Sequence, residues 1–471
     1  MSKQERYQEN SFLSGPIAAP LICFALPLML SLLLQALYGG VDLAVVGRFS
    51  PTESVSAVAT GSQVMQSATV IVTGLTMGVT VLLGKAMGAQ KPEEAGDIVA
   101  GQIKLFALLA IFMTAFMILF APQATKLMNV PAEAVDETVR YIRICSGGMI
   151  FITAYNGISG IFRGIGNSRS PFLFVLIACI VNIVLDLLFV GVFDMKASGA
   201  AFATVIAQAV SVAFSIAFIR KNPLPFTVEK ENFQREHKIK SILKVGSPIA
   251  LQDFLVNISF LIITSIVNSL GLVASAGIGV SEKLYVFLSI VPMAFMSALS
   301  AFVAQNIGAE QPERATRSLF IAQRISLLFG VGMFLLTFFQ GGFLGSLFAD
   351  DPAVIAATAE YLHGSSFEYL MIPLTFCFLG YFNGREHTTF VMAQGLAAAF
   401  LVRVPLSYLF SRLPNTGMFL ISLAVPISAV ANLLLCVGYF LILKRQDACK
   451  EKVNPIKIEK EALPFWQCFF C

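Results

Sequence analysis

The sequence predicts an all-α membrane protein, with twelve transmembrane helices in two six-helix lobes related by a pseudo-two-fold axis along the membrane normal. Three observations predict it. Of the 471 residues, 56% are hydrophobic and 13% charged, with a mean hydropathy of +0.78. A soluble domain carries about 25% charged residues, so most of this surface must face lipid. Twelve long apolar runs stand between polar breaks, and the second half of the chain repeats the first at a fixed distance.

A spanning helix needs about 20 mainly apolar residues. The runs are 17–40, 55–84, 96–121, 135–163, 169–193 and 198–220, then 241–268, 275–304, 315–341, 355–383, 388–411 and 418–443. In lipid the backbone must satisfy itself, which leaves helices or closed barrels. The runs lack the ten-residue alternation of a barrel strand. Lys3 and Arg6 precede the first run, and no small-residue cleavage site ends it. It is therefore expected to be a membrane helix and not a removable signal.

Lys and Arg set the orientation. With both termini in the cytoplasm, the cytoplasmic segments hold 22 of them and the outer loops four: Arg48, Lys126, Lys196 and Arg412. The reverse orientation inverts that ratio. The expected location is the plasma (cell inner) membrane, multi-pass, with the lipid bilayer as surroundings and no nucleic-acid partner.

The repeat is explicit. Gly88-Ala89-Gln90-Lys91-Pro92-Glu93-Glu94-Ala95 recurs as Gly308-Ala309-Glu310-Gln311-Pro312-Glu313-Arg314-Ala315, 220 residues later. The same shift sets Tyr141 on Tyr361 and Phe162 on Phe382. Six spans is an even number, so both copies point the same way across the membrane. The expected divisions are an N-tail (1–16), an N-lobe (17–220), a linker (221–240), a C-lobe (241–443) and a C-tail (444–471). The linker belongs to the basic stretch 220–244, which carries Pro223 and Pro225. Parallel repeats of this kind imply a central cleft and alternating access. A duplicated channel is disfavoured because no filter-like loop interrupts the runs.

Ionisable residues inside membrane helices mark functional sites by default. Asp42 lies near the outer end of the first run, and the fifth carries Asn182 and Asp186, four apart and on one face. The sixth carries Thr204. Two carboxylates, an amide oxygen and a hydroxyl are hard ligands, suited to a proton or a small monovalent cation and unsuited to a transition metal. Na⁺ is the one metal ion this set admits, and no cofactor is expected. A 220-residue shift sets Asp42 on Ile262, Asn182 on Val402 and Asp186 on Leu406, so a six-helix scaffold does not require those polar groups. Asp253, Glu282, Glu368 and Arg403 also fall within runs, with no role assigned. Pro27 and Pro248 take nearly equivalent places, and Pro27 is the expected hinge, since a membrane proline frees a carbonyl and permits a bend. Of eight cysteines, Cys468 and Cys471 form a terminal CxxC without a second pair or a nearby His, which makes a poor zinc site.

Together these residues resemble the multidrug and toxic compound extrusion (MATE) family over essentially the whole chain. The resemblance rests on Pro27 followed by Val41-Asp42-Leu43-Ala44-Val45-Val46-Gly47-Arg48, and on the repeated Met87-Gly88-Ala89 and Gln305-Asn306-Ile307-Gly308-Ala309 loops. Phe162-Arg163-Gly164-Ile165-Gly166-Asn167-Ser168 completes it. It implies a V-shaped monomeric antiporter that exports organic, often cationic and amphipathic small molecules against H⁺ or Na⁺, conferring antibiotic resistance. It further implies an N-lobe cation site at Asp42, Asn182, Asp186 and Thr204, as in one branch of the family. Gln35, Met65 and, more loosely, Asn156 match positions that line the drug cleft. The NorM-like branch uses a Glu in helix 7 and an Asp in helix 10. Here helix 7 reads Phe254-Leu255-Val256-Asn257 and helix 10 has no Asp.

Two other function classes remain to be weighed. A flippase for lipid-linked saccharide precursors shares the helical layout but tends to line its cavity with several basic residues, which are few here. An enzyme is disfavoured because the chain shows no paired His, nucleophile elbow or phosphate loop.

Overall fold

The computed structural model describes residues 12–234, 237–414 and 417–453. Lys3, Arg6 and the Cys468–Cys471 pair lie outside them. Every regular element among the described residues is helical. The first half contains α1 (Ala18–Phe49), α2 (Thr52–Gly88), α3 (Pro92–Leu127), α4 (Val135–Gly147), α5 (Met149–Gly164), α6 (Arg169–Asp186) and α7 (Lys196–Lys221). The second contains α8 (His237–Asn268), α9 (Leu272–Leu288), α10 (Ile290–Gly308), α11 (Pro312–Ser346), α12 (Pro352–Ser365) and α13 (Glu368–Gly384). It continues with α14 (Thr388–Leu396), α15 (Val404–Ser411), α16 (Met418–Ser422) and α17 (Ala424–Val453).

Ten stretches among the described residues are long and apolar enough to cross a membrane, or eleven when α4 and α5, bent by 49° at Gly148, count as one. The expected spans at 275–304 and 355–383 are the exceptions. The first is parted at Ser289 into α9 and α10, of which α10 alone is long and apolar enough; the second is built from α12 and α13, of 14 and 17 residues, parted at Ser366 and Phe367. Neither half of the second reaches the ~20 residues a crossing needs. Leu108, Ile111 and Leu119 on α3, Leu328 on α11 and Leu434 on α17 are exposed. Apolar surface on that scale fits contact with lipid.

The repeat is visible in the backbone. Gln90 and Glu310 share a left-handed φ, 55° and 58°. Behind them the Lys91 amide donates to the Ala86 carbonyl (3.0 Å) and the Gln311 amide to the Asn306 carbonyl (2.8 Å). Pro92 and Pro312 then open α3 and α11, at a position where a missing amide hydrogen leaves no helical bond unmade. The next loops match as well. Gly166 and Glu386 have φ of 85° and 65°, and the Asn167 and His387 amides donate to Phe162 and Phe382.

The register slips by one residue after that. In the first half α6 is regular up to Asp186 and becomes π-helical over Leu187–Val192. In the second half the π-helical segment, Ala397–Arg403, comes earlier, between α14 and α15. A π turn holds one residue more than an α turn. Beyond it the matching distance is therefore 221, and Asn182 pairs with Arg403 and Asp186 with Ser407. This corrects the pairing with Val402 and Leu406 expected from a constant shift.

The halves meet most closely at the end bearing the repeated loops. A methyl group on Gly78 of α2 would fall 2.7 Å from the Gly246 nitrogen on α8. Gly88 and Gly308 lie tighter still, against the Gln305 and Lys85 carbonyls. Small residues permit this approach of helix backbones. Gln305 Nε2 donates to the Gly164 carbonyl (2.8 Å), and the Lys85–Glu386 (2.5 Å) and Lys238–Glu94 (2.6 Å) ion pairs also cross between halves. α1 belongs to both. Its early residues Leu21, Phe24, Ala25 and Leu28 pack into a core with Phe302 and Phe382, whereas Val45 and Val46 pack with Val58 and Ala197.

Candidate functional site

Three helices bring the expected cation-site residues together. α6 starts where the Asn167 side chain accepts the Ser170 amide (3.1 Å), and its buried face carries Phe174, Ala178, Asn182 and Asp186 at helical spacing. α7 lies along it, with Ala197, Gly199, Ala200, Ala201 and Ala203 keeping the separation small, and Ser211 Oγ donating to the Phe174 carbonyl (2.9 Å). The last turns of α1 complete the group.

Asp42, Asn182 and Asp186 are buried, with exposures of 5%, 1% and 0%, and Thr204 is half-buried. Asp42 interacts with all three of the others. One of these contacts reaches hydrogen-bond geometry: Thr204 Oγ1 donates to Asp42 Oδ2 at 3.4 Å. Asp42 Oδ1, both Asp186 carboxylate oxygens and both Asn182 side-chain polar atoms are buried without a hydrogen-bond partner among the described residues. Unpaired buried carboxylates are strongly disfavoured, and neither Asp forms an ion pair with a described residue. The donor set therefore fits a proton or a small hard cation, which would satisfy these oxygens.

The residues expected to line a cleft are placed differently from one another. Gln35 is exposed on α1, two turns before Asp42. Asn156 is half-buried, and its amide donates to the Ile152 carbonyl (2.8 Å). Met65 is buried in the first-half core, and its sulfur accepts from Ser146 Oγ at 3.7 Å. Pro27 sits within a continuous α1, where Ser31 Oγ donates to its carbonyl (2.8 Å). Sequence reasoning passed over Tyr38 and Tyr141, which lie within electrostatic reach of Asp42. Tyr38 was legible, because it precedes Asp42 by one helical turn. Tyr141 entered only as a marker of the repeat.

A family model described as MatE matches residues 27–188 and again 248–409, the second match lying 221 residues after the first. The chain belongs to the MatE family. Each match begins at a proline, Pro27 or Pro248. The chain is similar to the probable multidrug resistance protein YpnP of Bacillus subtilis, 26% identical over 85% of this chain and 90% of that one. It is also similar to an FAD transporter of Shewanella oneidensis, 24% identical over 93% and 96%. A crystal structure of a MATE protein in complex with MaL6 superimposes with a TM-score of 0.86 at 19% identity, covering 94% of this chain and 99% of that one. As a MatE-family member the chain is a multi-pass membrane protein and an ion-coupled multidrug efflux transporter, and not an enzyme.

Proposed function

We propose that this MatE transporter is an antiporter that exports organic, often cationic, amphipathic compounds in exchange for H⁺ or Na⁺, with Asp42, Asn182, Asp186 and Thr204 as the coupling-cation site. The observation that carries the reading is the pair of buried carboxylates, three of whose four oxygens lack hydrogen-bond partners among the described residues. A proton carrier needs one tuned carboxylate. Asn182 and Thr204 add neutral oxygens that a Na⁺ shell uses. Either cation neutralises the site and weakens its attraction for a cationic drug, and it drives export only if it favours the drug-releasing state.

The Lys and Arg count supports an arrangement with both termini, and the loop end where the halves meet, in the cytoplasm of a plasma-membrane protein. In that arrangement the closed end faces inward and the cation site lies toward the outside, where the driving ion enters. Gln35, Met65 and Asn156 are the candidates for contact with drug, and Pro27 for the hinge. The YpnP and FAD-transporter likenesses make drugs and a flavin dinucleotide the first compounds to assay.

The test uses vesicles clamped at fixed pH, with and without a Na⁺ gradient, for wild type and Thr204→Ala. Na⁺-dependent export lost in the variant supports the shared site. Export responsive to a pH gradient and indifferent to Na⁺ restricts the reading to H⁺. Indifference to both removes antiport.

A further inference from the structure

The second half places a different set of polar groups where the first half has its cation site. In the register set by the π-helical segments, Arg403 stands for Asn182 and Ser407 for Asp186, while Ile262 takes the place of Asp42. The burial carries over. Arg403 is 9% exposed, and its Nε and Nη1 have no hydrogen-bond partner among the described residues. Ser407 is fully buried one turn away, and its hydroxyl is also unpartnered. The guanidinium lies over the Phe260 ring of α8, 4.7 Å from its centroid. That contact orients the planar group and leaves its edge donors free.

Glu368 of α13 lies within electrostatic reach of Arg403 and is itself buried, yet the two form no ion pair. Glu282, on α9, is engaged elsewhere, accepting from Thr264 Oγ1. Tyr285, Tyr361 and Tyr369 lie within electrostatic reach of Glu368. A buried guanidinium left unpaired beside a carboxylate that it does not touch is expensive. The arrangement is relieved by a ligand that brings an anionic group to Arg403 and a cationic group to Glu368.

We propose that Arg403 and Ser407, with Glu368 of α13 within electrostatic reach of Arg403, form a second-half binding site for zwitterionic amphipathic compounds, whose carboxylate is held by Arg403 and whose cationic group lies toward Glu368. This deepens the export reading by naming a substrate class, and it rests on that reading but not on the first-half cation site. A simple cation gains nothing from Arg403. A simple anion is repelled by Glu368.

The experiment measures equilibrium binding to the purified full-length protein in detergent, by fluorescence anisotropy. The probes are rhodamine B, which carries a carboxylate and a cationic ring system, and its ethyl ester, which keeps the cation and lacks the carboxylate. Arg403→Gln should weaken rhodamine B about tenfold, as expected for loss of a charge-assisted contact, and leave the ester within about twofold. Glu368→Gln should weaken both dyes. Ser407→Ala, too small a change to disturb packing, should reduce the preference for rhodamine B about threefold, and Arg403→Lys should retain more of it than Arg403→Gln. Equal weakening of the two dyes by Arg403→Gln overturns the proposal, as does an unchanged preference in Ser407→Ala and Arg403→Gln together. Binding is read without a gradient, so either result leaves the antiport reading to its own vesicle test.

Discussion

Thr204 on α7 meets Asp42 on α1 across 162 residues of chain, its hydroxyl donating to Asp42 Oδ2 at 3.4 Å. The contact is long for an O–H···O bond, whose usual distance is about 2.7–2.8 Å. It fixes neither side chain firmly. The Thr204 oxygen keeps lone pairs that can turn toward a cation lying between the two carboxylates.

Asp186 gives the sharpest test of that site. Asp186→Asn keeps size and removes charge, so the protein should insert and purify normally. Drug export should fall about tenfold or more, the loss expected when a charge-assisted interaction of about 1.5–3 kcal/mol is removed. Drug resistance of cells matched for expression checks it, and full resistance in the variant sinks the cation-site assignment.

The orientation is tested at the linker. A single cysteine replacing Lys230, in a chain freed of its other cysteines, should escape an impermeant maleimide in intact cells and react after permeabilisation. Labelling of intact cells would place the linker, and the closed end of the molecule, outside.

Two glycines should respond oppositely to the same change. Gly78→Ala drives a methyl group to 2.7 Å from the Gly246 nitrogen, and overpacking of this kind costs about 1–3 kcal/mol. Gly39 lies in α1 with nothing within 4 Å of an added methyl. Gly39→Ala should be neutral or stabilising by up to about 1 kcal/mol, through helix propensity. Melting temperatures in detergent should fall for the first variant and hold or rise for the second.

The Lys85–Glu386 ion pair should matter little by itself. It is 2.5 Å long, but its side chains are 48% and 29% exposed, and such pairs contribute about 0–1 kcal/mol. A double-mutant cycle with Lys85→Ala and Glu386→Ala should give a coupling below about 1 kcal/mol, smaller still at high salt. A larger coupling would mean that the ion pair, and not the glycine packing beside it, holds the halves together.

Fold class, repeat and the four polar side chains of the first-half site were legible because each depends on local rules. Apolar length marks a span, a repeated Gly-Ala-x-x-Pro loop marks a copy, and a four-residue spacing puts Asn182 and Asp186 on one face. The partners of Arg403 were not legible. Its match to Asn182 depends on where a π-helical segment falls, and Leu187–Val192 and Ala397–Arg403 share no composition that announces a wider turn. The breaks at Gly148 and at Ser366–Phe367 were missed for a similar reason, since each lies in a run of otherwise acceptable hydropathy. The place of Met65 in the chain fits a cleft, but the packing of its side chain against Ser146 was not legible.

The divided packing of α1 has a mechanical consequence. Its foot, from Leu21 to Leu28, is gripped by the core that contains Phe302 and Phe382, and its head, at Val45 and Val46, by the core of the other half. Asp42 is carried on the head and Pro27 lies within the foot. If the halves rotate against each other, this one rod is twisted or flexed between its two clamps, and the residues from Pro27 to Val41 must absorb the torque. Charge arriving at Asp42 is therefore felt on the lever that joins the two moving bodies, whereas a carboxylate on α6 or α7 alone would ride with one of them.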